Sequence, residues 1–250
     1  MRLRDGIFTA SMLSRQKWLR HAFGTRRADG DLRLPAASLR QLHSDIVQVV
    51  EEPAVRLPGD ALVTSTPRLA LTVKTADCLP VFLADPEHRV VAAVHAGWRG
   101  TRKRIVEKTV GVMRSHFGAD PAGVLAALGP GIHACCYQVG AEVIEQYRSQ
   151  FPYAEALFRN VEEENPADIL VPRQTMVEHK AFMRPLETAR GYLDLEEANY
   201  RQLLEAGVSP RRIARGAPCT ACRTDLFYSY RREGARAGRL LSQIAVLRGL

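Results

Sequence analysis

The chain has 250 residues, a net charge of +8 and an apolar content of 46%. This apolar content is sufficient for one sizeable core, and no stretch approaches the roughly 20 consecutive apolar residues that a membrane-spanning helix requires. The first residues also lack the apolar run of about 7–15 residues that marks a signal peptide, so we expect one cytoplasmic domain over residues 1–250 with no membrane partner.

Five apolar segments are predicted to form β-strands. Residues 89–94 are almost entirely apolar, which is typical of a strand covered on both faces, and residues 124–129 have the same character before a Gly-Pro-Gly turn. The predicted strands cover residues 45–52, 68–73, 79–85, 89–94 and 124–129.

Three helices are also predicted, the first beginning with Thr101 as its N-cap. The residues that place one buried stripe along this helix are Ile105, Val106, Thr109, Val110 and Met113. The other two helices cover residues 140–151 and 194–206. The mixture of strands and helices predicts an α+β (mixed α/β) fold, in which a mixed β-sheet core is flanked by helices.

Cysteine usage and the charge distribution narrow the functional classes. Five cysteines in a chain without an export signal argue against a disulfide framework and leave metal-binding or catalytic roles. Eight arginines and only two acidic residues lie between Arg211 and Arg239, which suits a solvated surface, a phosphate-bearing substrate or nucleic acid. No RRM, KH or helix-turn-helix pattern accompanies them, so we expect no nucleic-acid partner.

His95 ends an apolar strand in the segment VVAAVHAGWRGT, residues 90–101. A strand, a glycine-bearing turn and a helix in succession point backbone N–H groups and the helix dipole at whatever lies above the strand end. Arg99 adds a bidentate donor for an anion beside the histidine. A core histidine with both ring nitrogens satisfied is the alternative interpretation.

Cys78 and His43 lie at the boundaries of other predicted strands, where a buried structural cysteine and a structural histidine are the alternatives. If these strands are neighbours in one sheet, His43, Cys78 and His95 converge at one sheet edge. Two imidazoles and a thiolate are suitable ligands for Zn²⁺, and three protein ligands leave a fourth coordination position open.

Six segments then point to a known family. In chain order they are QLHSDIV, GDALVT, KTADCLPV, VHAGWRGT, LGPGIHACCYQVG and CTACRTDLFYSYRREG. Together they closely resemble the YfiH-like family, also called the laccase-domain or multicopper polyphenol oxidase family. The resemblance begins near residue 21, where HAFGTR is similar to the family's H-G-F-x-T-R element, and extends to the last residues.

The resemblance implies a single mixed α/β domain whose metal ligands and catalytic residues are a histidine, a cysteine and a second histidine. The matching positions are His43, Cys78 and His95. The implied metal is zinc, or copper in some accounts. The implied chemistry is phosphorolysis of adenosine, inosine, guanosine and methylthioadenosine, together with adenosine deamination. Family members have also been called polyphenol oxidases and peptidoglycan-editing factors.

The chain departs from the family pattern in two places. Only residues 27–40 separate HAFGTR from QLHS, where the family usually carries a longer segment with an N-L-G-like element, and this predicts a shorter lid or substrate wall. Near the end of the chain the usual T-G-R reads Ala237-Gly238-Arg239, so a hydroxyl that could contact substrate is absent.

Phosphorolysis requires a phosphate cradle and groups that orient the ligands. The candidates for binding substrate or phosphate are Arg26, Arg99, Arg231 and the turn from Gly97 to Gly100. Asp60 and Asp77 are candidates for orienting a ligand histidine or for acting as a base, and Asp60 is also a candidate for contacting substrate. The turn is not a Walker loop, because it lacks the GxxxxGK[ST] spacing.

Alternative chemistries remain. A conventional multicopper oxidase binds its coppers largely through H-x-H pairs. None of the seven histidines of this chain forms such a pair, so that class is excluded, although a single-copper polyphenol oxidase activity stays open. The H-x-E and P-C-x-x-C motifs of known zinc deaminases are absent, so deamination would use a different arrangement. A metal-free cysteine hydrolase or amidase, with Cys78 as nucleophile and His95 as base, would suit editing of peptidoglycan precursors.

We therefore expect a cytoplasmic, zinc-dependent purine nucleoside phosphorylase that also deaminates adenosine. Its partners would be a small-molecule purine nucleoside and phosphate, and its assembly state would be a monomer or a small homo-oligomer.

Overall fold

The computed structural model describes residues 1–162 and 190–248. Contacts along the chain divide them into two compact units. The first contains residues 1–133 together with the described residues from 195 onward, and the second contains the described residues between 134 and 194. Both units combine strands with helices, so the predicted mixed α+β fold is confirmed.

The strands of the described residues, in chain order, are β1 (Arg2–Arg4), β2 (Ile7–Thr9), β3 (Leu19–Phe23), β4 (Ala36–Arg40), β5 (Val47–Val49), β6 (Ala54–Pro58), β7 (Ala61–Thr64), β8 (Ala70–Thr75), β9 (Leu79–Asp85), β10 (Val90–Ala96), β11 (Leu125–Leu128), β12 (Gln138–Gly140), β13 (Phe158–Glu162), β14 (Arg190–Leu193), β15 (Ile213–Ala214) and β16 (Leu240–Val246).

The α-helices of the same residues are α1 (Ser11–Ser14), α2 (Trp98–Arg102), α3 (Ile105–Phe117), α4 (Ala141–Arg148), α5 (Leu195–Glu205) and α6 (Tyr230–Glu233). Short 3₁₀ turns cover Pro121–Gly123, Ala154–Leu157, Pro210–Arg212 and Gly234–Arg236. Within residues 1–162 and 190–248, no helix has the length and apolar character needed to cross a membrane.

Two mixed sheets form the first unit. One has seven strands in the order β1-β2-β3-β16-β8-β4-β6, and the other has six in the order β15-β11-β9-β10-β7-β5. Apolar side chains from both sheets share one core. Within it the ring of Phe23 on β3 stacks on the ring of Phe82 on β9, with centroids 4.3 Å apart. This burial of apolar surface is the main stabilising contribution to the unit.

The predicted strands are present, but they do not all lie in one sheet. The prediction for residues 79–85 matches β9 at both ends, and β10 and β11 lie within two residues of their predicted bounds. The strand predicted over residues 45–52 is confined to Val47–Val49. The strand predicted over residues 68–73 is β8, which belongs to the seven-stranded sheet, whereas β9, β10 and β11 belong to the six-stranded one.

The helix predicted after Thr101 is divided in two. The predicted buried stripe is confirmed, because its five residues are the buried residues of α3. Thr101 is not the N-cap, however: it lies inside α2 with its side chain fully buried. Arg104 separates the two helices in a left-handed conformation, with φ 64°, which interrupts the helical hydrogen-bond ladder.

Three connections carry the chain from the seven-stranded sheet to the six-stranded sheet: β4 to β5, β6 to β7 and β8 to β9. The residues in these connections are 41–46, 59–60 and 76–78. The first two connections hold His43 and Asp60, and the third holds both Asp77 and Cys78, all four singled out from the sequence. The change of sheet, rather than an edge within one sheet, is what gathers these residues.

The second unit is built on a three-stranded antiparallel sheet in the order β12-β14-β13. The predicted helix over residues 140–151 is α4, which ends at Arg148. Tyr147 contacts the rings of Phe151 and Phe158, with centroids 5.4 Å and 5.9 Å away, and these aromatic rings are among the buried apolar side chains of the unit.

Candidate metal centre

His43, Cys78 and His95 come together in the first unit. One possible ligand atom from each residue lies within 4.8 Å of the other two. The Sγ of Cys78 is 3.8 Å from Nε2 of His43, and the two imidazole centroids are 4.9 Å apart at an interplanar angle of 74°. The convergence expected from the sequence is therefore present, and this part of the chain carries a possible Cys/His metal site.

The three side chains differ in exposure. His95, on β10, is only 3% exposed, Cys78 is half-buried, and His43 is exposed to solvent. A metal ion held by this set would be anchored by His95 on the protein side and reachable from the His43 side. Such access is typical of a catalytic site that keeps one coordination position open.

Gly97 provides the space in which the three groups meet. A Cβ added at this position would lie 2.8 Å from Sγ of Cys78 and 3.0 Å from Cδ2 of His43, both closer than side chains normally tolerate. Any larger residue would push the thiol and the imidazole out of place. The donor set of two nitrogens and one sulfur fits zinc, and the cradle left by Gly97 is consistent with that fit.

Asp60 holds both histidines in position. Its Oδ1 accepts a hydrogen bond of 2.8 Å from Nδ1 of His95 and one of 3.1 Å from the backbone N–H of His43. Because Nδ1 of His95 is engaged in this way, Nε2 is the nitrogen left for a metal. A carboxylate behind a ligating histidine fixes the tautomer and the ring orientation and raises the basicity of the ligand.

The carboxylate of Asp60 is itself fully buried and satisfied by the loop that carries His43. Its Oδ2 accepts hydrogen bonds from the backbone N–H of Leu42 at 3.1 Å, and from the N–H and Oγ–H of Ser44 at 2.6 Å each. Burial alone would raise the pKa of Asp60, but the hydrogen bonds from His95 and Ser44 outweigh it and lower the pKa to about 2. Asp60 is therefore a permanent negative charge at the site.

The thiol and the imidazole beside it stabilise each other's charged forms. Burial would raise the pKa of Cys78, but the nearby positive charge of His95 and the hydrogen bond from His43 lower it to about 6. Burial would lower the pKa of His95, but the Cys78 thiolate and the Asp60 carboxylate raise it to about 9. The thiolate is the form of cysteine that ligates metals and acts as a nucleophile.

The backbone at the site is in an unusual conformation at two residues. His43 has φ 55° and Asp77, next to Cys78, has φ 86°, both in the left-handed region that ordinary residues seldom occupy. Asp77 is fixed by hydrogen bonds that its carboxylate accepts from Oγ1 of Thr220 at 2.7 Å and from the backbone N–H of Arg231 at 2.6 Å. Strained residues of this kind cluster at functional sites.

Of the two aspartates suggested by the sequence, Asp60 is the one that contacts a histidine of the candidate site, His95. Asp77 instead orders the backbone that precedes Cys78. Ser44, which sequence reasoning missed, completes the support of Asp60. The signal for it was its place next to His43 in the HSD motif, where a short hydroxyl side chain can bond a neighbouring loop.

The arginines predicted to form the phosphate cradle have different surroundings. Arg26 is ion-paired with Glu233, donates to the carbonyl of Phe227 at 3.3 Å, and stacks over the ring of Tyr228. Arg99 is exposed, with its guanidinium 4.3 Å from the ring centroid of Trp98. Arg231 contributes its backbone N–H to Asp77. Arg26 would have to leave Glu233 to bind phosphate, whereas Arg99 faces solvent.

Gly100 is also explained by close packing. A Cβ at this position would lie 3.0 Å from the carbonyl oxygen of Ser44, in the loop that carries His43. The predicted turn from Gly97 to Gly100 is instead the start of α2, with Gly97 as the N-cap, and both glycines permit this helix to approach the His43 loop. Their role as part of a phosphate cradle stays a prediction.

Comparison with known proteins gives a consistent result. The profile of the family described as "Multi-copper polyphenol oxidoreductase laccase" matches residues 23–247. A "Purine nucleoside phosphorylase" of Bacteroides thetaiotaomicron is 36% identical over 187 residues, which are 75% of this chain. The chain spans 60% of that relative's length.

One further relative and one solved structure are also similar to this chain. A protein named "Adenosine deaminase RL5", from an unknown prokaryotic organism, is 34% identical over 215 residues, covering 82% of this chain and 72% of that protein. The crystal structure of the Bacillus licheniformis hypothetical protein YfiH has a TM-score of 0.75, with 24% identity, and the alignment covers 92% of this chain and 94% of that one. The structural match supports the fold.

Proposed function

The chain belongs to the multi-copper polyphenol oxidoreductase laccase family, which includes YfiH, and from that premise we propose that it is a zinc-dependent purine nucleoside phosphorylase. Relatives bearing that name support a purine nucleoside phosphorylase-like role for the family. The proposed substrates are phosphate together with adenosine, inosine, guanosine or methylthioadenosine, and adenosine deamination is proposed as a second activity, in line with the deaminase relative.

The observation that carries this proposal is the meeting of His43, Cys78 and His95 around the space left by Gly97. We propose that Nε2 of His95, the Cys78 thiolate and a ring nitrogen of His43 hold the ion. Zinc suits a set of two imidazoles and one thiolate, and copper is the alternative, because copper sites also use two histidines and one cysteine. When bound, the metal would supply Lewis-acid chemistry at substrate or water.

The residues around the site have separable tasks in this proposal. Asp60 keeps a proton on Nδ1 of His95 and so keeps Nε2 available as a ligand. The exposed guanidinium of Arg99 is the proposed phosphate contact, and it lies in the same turn as Gly97. Arg26 and Arg231 are proposed as further contacts, with Arg26 exchanging its bond to Glu233 for one to phosphate.

The decisive experiment is product analysis by mass spectrometry, using protein of defined metal content incubated with adenosine, with and without phosphate. Phosphate-dependent formation of adenine and ribose 1-phosphate supports the phosphorylase. Formation of inosine in both incubations assigns the deaminase as the principal activity. If zinc-loaded protein forms neither adenine and ribose 1-phosphate nor inosine, the proposal is contradicted.

A second candidate function is a metal-free cysteine hydrolase or amidase acting on peptidoglycan precursors. The observation in its favour is the lowered pKa of Cys78, about 6, beside two imidazoles, since a thiolate paired with an imidazolium is the arrangement of cysteine nucleophiles. Alkylation of Cys78 in metal-free protein separates the two functions. If metal-free protein hydrolyses peptidoglycan precursors and alkylation of Cys78 abolishes this activity, the hydrolase is supported. If metal-free protein has no activity, the metalloenzyme is supported.

We also propose that residues 1–250 act as one catalytic domain in the cytoplasm, as a monomer or small homo-oligomer. All three proposed ligands and Asp60 belong to the first unit, which supports assigning the chemistry to it.

A further inference from the structure

A cavity lies on the seven-stranded sheet. It has a volume of about 440 Å³ and is lined by residues of the adjacent strands β4, β6 and β8 and by Gln41, which follows β4. This volume is within the range of about 300–1,000 Å³ that is typical of small-molecule sites. The lining contains three cationic residues, Arg40, Arg56 and Lys74, and no carboxylate.

Strand register explains why the cations gather. Strands β4 and β8 run parallel with Ser38 opposite Thr72, so Arg40 and Lys74, two residues further along each strand, share the face of that pair. Gln41 fixes this end of the pair, because its side chain donates to the carbonyl of Lys74 at 2.7 Å and accepts from its N–H at 2.9 Å.

Arg56 joins the group through an irregularity in β6. The register between β4 and β6 shifts between Ala37 and Leu39, and Arg56 has φ 60° at this bulge. Its backbone N–H donates to Oγ of Ser38 at 3.4 Å. Bulges of this kind change the direction of a side chain and are frequent beside binding sites.

The positive charges of this cavity are not balanced by the protein. Among the part of the chain that the structure describes, none of Arg40, Arg56 and Lys74 takes part in an ion pair, whereas Arg104, Arg148 and Arg215 each contact two carboxylates. Like charges side by side on neighbouring strands are destabilising unless an anion lies between them.

We propose that this cavity is a binding site for a phosphate-class oxyanion, either inorganic phosphate or the phosphate group of a nucleotide. Arginine and lysine are the side chains that bind such groups, and arginine adds bidentate hydrogen bonds. The polar side chains of Gln41 and Thr72 are engaged with the protein itself, so the cations carry the recognition.

The site is close to the metal centre along the chain. Arg40 is three residues before His43, and Lys74 is four residues before Cys78. At no more than about 3.6 Å per residue, these Cα atoms are at most about 11 Å and 14 Å apart. An anion bound in the cavity therefore lies at the bases of two loops that carry proposed ligands.

The test is a calorimetric titration of the protein with inorganic phosphate. It is carried out at low ionic strength because salt screens exposed cations. The variant Arg40→Gln/Lys74→Gln is expected to bind phosphate about a hundredfold more weakly, since each charged hydrogen-bonding group contributes about tenfold or more. The charge-preserving variant Arg40→Lys/Lys74→Arg is expected to retain most of the affinity. Arg20→Gln, an exposed arginine on β3 of the same sheet, is the matched control and should bind like the wild type.

Cys78→Ala separates this site from the metal centre and should leave the phosphate affinity of the cavity unchanged. Adenosine 5′-monophosphate, used as a second probe, identifies the source of the anion. Equal affinity for both probes assigns inorganic phosphate, and affinity at least tenfold higher for the nucleotide assigns a nucleotide. Unchanged phosphate binding in Arg40→Gln/Lys74→Gln, or no binding of either probe by the wild type, overturns the proposal. Arg99→Gln removes the phosphate contact proposed at the metal centre and is titrated in parallel, so that binding lost in this variant and binding lost in Arg40→Gln/Lys74→Gln report on the two sites separately.

Discussion

Two buried histidines in the first unit have pKa values shifted in opposite directions. His21, on β3, is 7% exposed and His95, on β10, is 3% exposed. Burial lowers the pKa of His21 to about 4, and its Nε2 accepts a hydrogen bond from the N–H of Ala10 at 2.8 Å. Burial also disfavours charge on His95, but Cys78 and Asp60 raise its pKa to about 9.

The difference shows that burial does not by itself mark a histidine as a ligand. His21 is surrounded by the rings of Phe23 and Phe82 and is a neutral part of the core. His95 is set between a thiolate and a carboxylate. The charged neighbours, both in connections between the two sheets, make the second histidine available for chemistry.

The largest effect on this comparison is expected from Asp60→Asn, which removes the negative charge behind His95. We expect the metal affinity to fall about 10–100-fold, because the basicity and orientation of the imidazole decline together. Metal competition titration measures the change. Asp85→Asn is the matched control. Asp85 is also a buried carboxylate bonded to a histidine, with 2.6 Å between its Oδ2 and Nδ1 of His88, but it is not part of the candidate metal centre. The Asp85→Asn protein should therefore bind metal as the wild type does. Equal affinities for the two variants would contradict the role of Asp60.

His21→Gln tests whether the core keeps the buried His21 neutral. The unfolded state binds a proton near pH 6.5, whereas folded His21 does so only near pH 4. His21 therefore contributes no destabilisation above pH 6.5, and the free energy of unfolding falls as the pH drops from 6.5 towards 4. Between pH 7 and pH 5 we expect the protonation of His21 in the unfolded state to lower the free energy of unfolding by about 2 kcal/mol.

This loss is measured by urea unfolding of the wild type and His21→Gln at both pH values. The pH dependence of the variant should be shallower by about that amount. Identical pH dependence in the two proteins would show that His21 is not held neutral by the core.

The smallest expected effect is that of Gly97→Ala, which changes space rather than charge at the site. The new Cβ would lie 2.8 Å from Sγ of Cys78, so we expect metal affinity to fall about tenfold through displacement of the thiolate. Gly111→Ala is the control, because a Cβ there meets nothing within 4 Å inside α3. It should keep the metal affinity and stabilise the helix by about 0.5–1 kcal/mol. Metal titration and thermal unfolding read out both variants, and undiminished affinity in Gly97→Ala would disprove the spatial argument.

Much of the scaffold was predictable because its signals are local. The apolar run of β9 and the buried stripe of α3 follow from residues adjacent along the chain or one helical turn apart. The break at Arg104 was not predictable, since arginine carries no signal for a left-handed conformation. The division between two sheets was equally hidden, because β8 and β9 are both apolar and only three residues separate them.

The sequence singles out the three proposed ligands of the candidate site but not the residues around them. His43, Cys78 and His95 stand out as reactive side chains at strand boundaries. The pairing of Arg26 with Glu233 joins residues 207 positions apart, and no local pattern announces it. The cavity of Arg40, Arg56 and Lys74 is hidden for the same reason, since each residue alone is an ordinary exposed cation.

The measurement that tests the central claim most directly is the zinc content of purified His43→Ala, Cys78→Ala and His95→Ala, compared with the wild type and with His21→Gln. Shared coordination predicts that each of the first three proteins loses about one equivalent of zinc per chain and that His21→Gln loses none. If the three ligand variants keep the zinc content of the wild type, these side chains do not hold a metal together.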